Sequence, residues 1–264
     1  MCYTFAMPSR EKLFPTIKAL LRACCCATLA TAFAFSPCSV EAATAARPKQ
    51  PAQARQAGQA KRVDSYTITQ RGDGYRINIS YPNLDIAAAD AELSIWAREQ
   101  AAAFANGVNM LSSSMPMPCE LTVSYETLTA SSKVVSVVFF ISTAMGGAHP
   151  EPGLATFVYT KKDGRRLSYS NIFMSDDGLL ETLSAICRES LAAQLGSRAV
   201  PEMLQAGTTP DIVNFDLFSL TKDGLRIYFP PYQAAPYSEG YLTVTIPLDK
   251  LQKFKPQISF WDKE

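Results

Sequence analysis

Polar and apolar residues alternate over Tyr66–Gln70 and Gly74–Tyr81, with Tyr75, Ile77 and Ile79 on one face. The Gly72-Asp73-Gly74 turn between them predicts a strand pair, and Pro82 ends the second strand. From Ile86 to about Asn109 the period changes. Leu93, Trp96, Phe104 and Val108 recur at helical spacings in an Ala-rich stretch, which predicts a long amphipathic helix. Glu120–Thr127 and Lys133–Thr143 return to strand patterns, and the second (KVVSVVFFIST) is apolar on both faces, as a strand in the interior of a sheet is. Gly153–Lys162 is a further strand, and Asp163-Gly164 predicts a hairpin returning along Arg165–Tyr169. A second amphipathic helix is predicted over Asp176–Leu195. Ser175, Asp176 and Asp177 stand at its start, where a helix favours oxygen acceptors and negative charge. Pro201–Ala206 is one more helical turn. The rest reads as a meander: Phe215–Thr221, the Asp223-Gly224 turn, Leu225–Phe229 and Tyr241–Ile246, closed by a short helix over Leu248–Lys253. Antiparallel runs of strands with two separated long helices predict an α+β fold, an antiparallel sheet with two main amphipathic helices packed on it. No internal repeat is apparent.

Composition changes this picture mainly at the N-terminus. Over 264 residues, 47% apolar content is that of a chain with a substantial core. Lys18 and Arg22 precede an apolar run from Ala23 to Phe35. That run suits the core of a secretory signal and is short for a bilayer span, and small residues near Ala42 suit cleavage. Residues 1–42 are therefore expected to be a signal peptide, the alternative being an uncleaved anchor over Ala23–Val40. Residues 43–62 carry no aromatic or branched aliphatic side chain and read as a basic Ala/Gln/Pro linker. Residues 63–264 are the expected folded domain, periplasmic or secreted, with no stable membrane span after signal cleavage. With 16 basic and 22 acidic residues, a net of −6, the domain argues against a nucleic-acid partner.

Five of the seven cysteines precede residue 43, which leaves Cys119 and Cys187. In an oxidising compartment a bridge between them would be worth about 4 kcal/mol. Alternatively Cys187, on a helical stripe with Leu180, Leu183 and Leu191, packs as a small hydrophobe.

The chain's one histidine, His149, lies in Gly146-Gly147-Ala148-His149-Pro150. A catalytic or zinc-binding histidine needs partners, and no spacing in the sequence supplies them, so neither a catalytic residue, a metal nor a cofactor is expected. The glycines predict a tight turn that the imidazole helps to fix. Asp176-Asp177 and Asp223-Gly224 lack the pattern of a calcium loop and read as helix-start and turn chemistry. The basic tip Lys161-Lys162 with Arg165-Arg166 reads as solvated, and Ser112-Ser113-Ser114 as loop. The connection Pro231–Gly240 is rich in tyrosine, a good interface residue, although the rings would equally cap the end of a core. His149, Tyr232, Tyr237 and Glu239 are thus the candidate binding residues, with Gly146, Gly147, Asp223, Gly224 and Gly240 as turn-forming members of the same motifs.

Two blocks carry a family resemblance. One runs from Gly146-Gly147-Ala148-His149-Pro150 to Leu167-Ser168-Tyr169-Ser170-Asn171-Ile172-Phe173. The other runs from Phe218-Ser219-Leu220-Thr221-Lys222-Asp223-Gly224 through Pro231-Tyr232 to Gly240. Over roughly 63–250 the chain resembles the exported C-terminal domain of RsiV-type anti-sigma factors and the non-catalytic N-terminal region of PdaC-type peptidoglycan deacetylases. The resemblance implies recognition outside the membrane, in the first case of lysozyme. The N-terminus is too short for a sigma-binding region before the apolar run, and about 14 residues follow Lys250, so the expectation is a recognition domain standing alone. Three readings follow, in order. The first is a non-catalytic envelope domain that recognises a cell-wall-related or protein ligand, such as a lysozyme-like muramidase or a peptidoglycan-related molecule. The second is a structural or accessory envelope protein. The third is a wall hydrolase using scattered carboxylates such as Glu151 and Glu239.

Overall fold

The computed structural model describes residues 64–110 and 119–262. The expected signal peptide, the linker and the Ser112–Ser114 loop lie outside these residues. All described residues fall in one compact unit, 57–264.

The first two strands, β1 (Ser65–Gly72) and β2 (Tyr75–Pro82), form the expected hairpin, and α1 (Ala87–Met110) follows. Three long strands come next, β3 (Cys119–Thr129), β4 (Val134–Ala144) and β5 (Glu151–Thr160). The five strands make one sheet in the order β1-β2-β3-β4-β5. It is not wholly antiparallel: β2 and β3 run parallel, with Ile77 opposite Leu121 and Ile79 opposite Val123. Between those two strands the chain passes through α1, the kind of crossover that parallel neighbours require.

The α1 helix covers one face of this sheet. Its Leu93, Ala97, Ala101 and Phe104 are buried against Ile77, Ile79, Leu121 and Val123, and against the Val135, Val137 and Phe139 row of β4. Trp96 lies 4.2 Å from the Phe139 ring. Tyr159 of β5 is fully buried in this layer, and its hydroxyl has no hydrogen-bond partner among the described residues. Burial, with the Glu92 carboxylate nearby, holds the phenol protonated. An unpaired buried hydroxyl costs stability that a phenyl ring would not. Tyr159→Phe is therefore expected to be neutral or stabilising by up to about 1 kcal/mol in urea unfolding. A loss of that size instead would show that the hydroxyl is satisfied in solution.

The opposite face of β4 and β5 belongs to a second layer, built from α3 (Leu179–Leu195), α4 (Pro201–Gly207) and a three-stranded antiparallel sheet. Its strands are β6 (Phe218–Thr221), β7 (Gly224–Phe229) and β8 (Leu242–Ile246), in that order. Leu183, Cys187 and Leu191 of α3 meet Leu220, Leu225, Ile227 and Ile246, together with Val134 and Val158 from the larger sheet. This is why β4 is apolar on both faces. At Gly224 φ is +143°, and a Cβ would stand 2.2 Å from the Ile246 carbonyl oxygen, so the Asp223-Gly224 turn requires glycine.

The two sheets are joined by hydroxyls. Buried Ser136 donates to the Leu220 carbonyl (3.2 Å) and accepts from the Leu220 N–H (3.0 Å), and Thr156 accepts from the Phe218 N–H (3.1 Å). These side chains satisfy the free edge of β6. Ser136→Ala would orphan both groups of Leu220 in the interior, with an expected loss of about 1–3 kcal/mol in urea unfolding. A loss within error of zero would show that water replaces the hydroxyl.

Near the C-terminus, Ser132 donates from its N–H (2.6 Å) and its hydroxyl (2.7 Å) to the Asp262 carboxylate. These bonds hold the Asp262 carboxyl below its ordinary range. Its stabilising effect is present above the unfolded-state pKa and is lost as pH falls through the lower folded value. Asp262→Asn is expected to lower the melting temperature at neutral pH and change it little in acid, flattening the acid limb of the melting profile. An unaltered limb would show that the pair contributes nothing.

The structure revises two local expectations and answers one question that the sequence leaves open. Beyond Asp163-Gly164 a single bridge forms, Tyr159 to Arg166, in place of a returning strand. Ser168 then starts α2 (Tyr169–Ile172), its N–H donating to the Asn171 side chain (2.9 Å). The α3 helix begins two residues after the aspartate pair, with left-handed Gly178 at its cap position and no side-chain cap. Finally, Cys119 and Cys187 are both free thiols buried in different layers, Cys119 with α1 and Cys187 beneath α3. Burial pushes the Cys187 thiol up to about 12, the condition of an inert packing residue.

Candidate functional site

The two sequence blocks meet at one corner of the molecule. At the β4–β5 turn Gly146 takes φ +83°, whereas a Cβ on Gly147 would meet nothing closer than 3.6 Å, so Gly146 alone needs its glycine for the turn. The turn presents His149 to solvent. Its ring stacks on Tyr237 with centroids 4.2 Å apart and planes at 24°. His149 Nδ1 lies 3.2 Å from the Pro150 carbonyl and Nε2 lies 3.4 Å from the Tyr232 hydroxyl. One tautomer satisfies both contacts: Nδ1–H donates to the carbonyl, and Nε2 accepts from the tyrosine. The Tyr237 hydroxyl also reaches the Pro150 carbonyl (3.5 Å). Tyr232 and Tyr237 stand 5.6 Å apart at 35°, so the three rings make a shallow, partly exposed platform.

Tyr232 is held there against its own preference. It is 54% exposed and has φ +72°, a left-handed backbone that costs a non-glycine residue roughly 1–2 kcal/mol. The surrounding turn fixes it. Tyr232 N–H donates to Ala235 (3.0 Å) and Gln233 N–H to Pro230 (3.1 Å). The Gln233 side chain donates to the carbonyls of Gly207 (3.1 Å) and Asn214 (3.0 Å). Gly207, the last residue of α4, admits this loop because a Cβ would stand 2.1 Å from the Gln233 carbonyl oxygen. An exposed aromatic ring on a constrained backbone points to function.

The remaining candidates separate. Glu239, in the same 3-10 turn as Tyr237, pairs with Arg198 (3.0 Å), which also reaches the Gln194 carbonyl at the end of α3. Arg198 was invisible to sequence reasoning because its partner lies 41 positions away. Gly240 closes this turn, whereas Asp223 and Gly224 lie at the β6–β7 hairpin and have a structural role there. Tyr241 is half-buried beside the corner. Its hydroxyl reaches the carbonyls of Ile141 (3.5 Å) and Gly153 (3.3 Å), and its ring packs edge-on to Phe140 at 5.5 Å. Burial pushes this phenol up to about 12. With both ring nitrogens of His149 and the Glu239 carboxylate engaged, the corner offers ring faces and hydroxyls for contact. Among the described residues no cluster of His, Cys, Asp and Glu could hold a metal ion, and no helix is long and apolar enough to cross a membrane.

Comparison with known proteins agrees with this architecture. The peptidoglycan-N-acetylmuramic acid deacetylase PdaC of Bacillus subtilis (strain 168) is 28% identical over 181 residues, covering 68% of this chain and 38% of that protein. The immunogenic protein MPT64 of Mycobacterium tuberculosis (strain ATCC 25618 / H37Rv) is 27% identical over 112 residues, 42% of this chain and 48% of that one. The chain thus spans less than half the length of either relative. Among solved structures, a DUF3298 family protein from Pseudomonas aeruginosa PAO1 superposes with a TM-score of 0.54 at 14% identity, covering 76% of this chain and 97% of that one. The α+β fold is therefore shared with a DUF3298 protein, and residues 170–249, which include Arg198, Tyr232, Tyr237 and Glu239, match the family model for DUF3298, described as a protein of unknown function.

Proposed function

We propose that this chain is a non-catalytic recognition domain of the bacterial envelope, exported after removal of residues 1–42. It binds a cell-wall-related ligand through the corner formed by His149, Tyr232 and Tyr237. The observation that carries this reading is the convergence of two segments 83 positions apart, His149 and Tyr232, into one exposed ring platform held by a constrained backbone. Tyrosine rings of this kind give large contact area with few rotamers to freeze. The likeness to a protein named as a peptidoglycan deacetylase supports a wall-related ligand. A lysozyme-like muramidase is the protein ligand that the RsiV resemblance adds.

The test is co-sedimentation of the full chain with insoluble peptidoglycan, beside calorimetric titration with lysozyme. Binding to at least one is expected, weakened roughly tenfold by Tyr232→Ala, the loss of about 1.4 kcal/mol typical of an interface ring. Binding to neither at micromolar protein would sink the reading and leave a structural role for the domain.

A further inference from the structure

Beside the ring corner, part of the larger sheet's second-layer face is left uncovered. Cross-strand register sets Thr69 opposite Asn78, Asn78 opposite Thr122, and Thr122 opposite Ser142, and all four are exposed. Adjacent strands lie about 4.8 Å apart, so these side chains form a straight polar row about 14 Å long. The row leads to Pro152, the partner of Ser142 on β5. There Tyr241 closes it: its ring packs on Phe140, two residues before Ser142 and on the same face, and its hydroxyl reaches the carbonyls of Ile141 and Gly153. The sheet is a floor, and the tyrosine stands as a wall at its end.

The chemistry of this floor selects among ligands. Thr, Ser and Asn side chains each donate and accept, and they recur at a spacing close to that of one sugar ring in an extended chain. The row holds no large apolar anchor, and Ser and Thr are under-represented among residues that carry protein–protein affinity. Beside the row, Arg71 on β1 stands directly opposite Arg76 on β2. Like charges in that position destabilise a sheet. Their guanidinium groups suit carboxylates, which they can bind by paired hydrogen bonds. Glu120, opposite Arg76, bounds the cationic patch.

We infer that this open face is a binding groove for a β-linked amino-sugar strand bearing carboxylates. The row Thr69-Asn78-Thr122-Ser142 meets its hydroxyl and acetamido groups, Arg71 and Arg76 meet its carboxylates, and the aromatic corner stacks on the sugar at its end. The groove rests on the recognition reading above and gives it a ligand class.

The test is calorimetric titration of the full chain with two probes: peptide-free glycan strands of alternating N-acetylglucosamine and N-acetylmuramic acid, and the neutral N-acetylglucosamine tetramer. Lysozyme is titrated in parallel. The acidic strand is expected to bind more tightly than the neutral one. Asn78→Asp and Thr122→Glu, each placing negative charge in the floor, are expected to weaken it roughly tenfold without moving the thermal midpoint. Asn78→Asp changes one group at constant shape, so it serves if Thr122→Glu fails to fold. Lysozyme binding without glycan binding would overturn the groove and leave the recognition reading standing. So would glycan binding of equal strength to the wild type and the folded variants. Sedimentation with insoluble peptidoglycan but binding of none of the three probes would overturn the groove alone, and binding of none of these together with no sedimentation would overturn both.

Discussion

Phe139→Ala is expected to lower the unfolding free energy by about 3–5 kcal/mol. Phe139 is fully buried at the middle of β4, beneath α1. Its ring lies 4.2 Å from Trp96, 5.8 Å from Phe157 at 90° and 6.3 Å from Tyr125. Truncation removes one aromatic surface from each of these contacts and leaves a cavity between sheet and helix. The cavity cannot close easily. Tyr125 and Phe157 sit on the strands either side of β4, whose ladders fix their backbones, with Phe139 opposite Tyr125 and Ala155. Trp96 could tilt inward only by leaving its edge-on contact with Phe157. A domain of ordinary stability, about 5–15 kcal/mol, would lose a large share of it. Urea unfolding with an unchanged slope is the measurement, and a loss under about 1 kcal/mol would show that α1 packs more loosely than its buried stripe implies.

That stripe was legible in part, in Leu93, Phe104 and Val108, because a helix against one sheet face must repeat its apolar residues every three or four positions, whereas Ala97 and Ala101, buried between them, do not stand out in an Ala-rich stretch. The central place of β4 was legible for a related reason: only a strand covered on both faces tolerates KVVSVVFFIST. Pairing was not. Periodicity identifies β2 and β3 as strands, but the parallel alignment of Ile77 with Leu121 follows from the path of α1 between them. At Asp163-Gly164 the hairpin signal was real, since Thr160 and Arg165 do bond across the turn, yet Ser168 and Asn171 form a competing local helix start that ends the pairing.

The aromatic corner was legible in its parts. A tyrosine-rich loop and a lone histidine after Gly-Gly can be read one at a time, but the stack of His149 on Tyr237 exists only in three dimensions. The polar row was harder still. Thr69, Asn78, Thr122 and Ser142 are each ordinary outward-facing strand residues, and only the register puts them in line.

Gly207→Ala should test how that corner is held, and two effects of opposite sign meet there. In an unconstrained helix the change would favour folding by about 1 kcal/mol, since alanine is the better helix former. In this chain the new methyl would stand 2.1 Å from the Gln233 carbonyl oxygen, 2.6 Å from its carbon and 2.9 Å from Ala234 Cα. All three atoms are backbone, so no rotamer change relieves the overlap. Either the end of α4 or the 231–235 turn must move, and overpacking of this kind costs on the order of 1–3 kcal/mol or more. The turn is the weaker of the two, because Tyr232 already holds an unfavourable φ of +72° and depends on the Gln233 bonds to Gly207 and Asn214 to keep it. The expected result is therefore a net loss of stability together with a loss of ligand binding, through displacement of Tyr232 from His149. A variant with a raised melting temperature and intact binding would show that the loop is free to shift. The constrained tyrosine would then be an accident of packing and not the support of the ring platform.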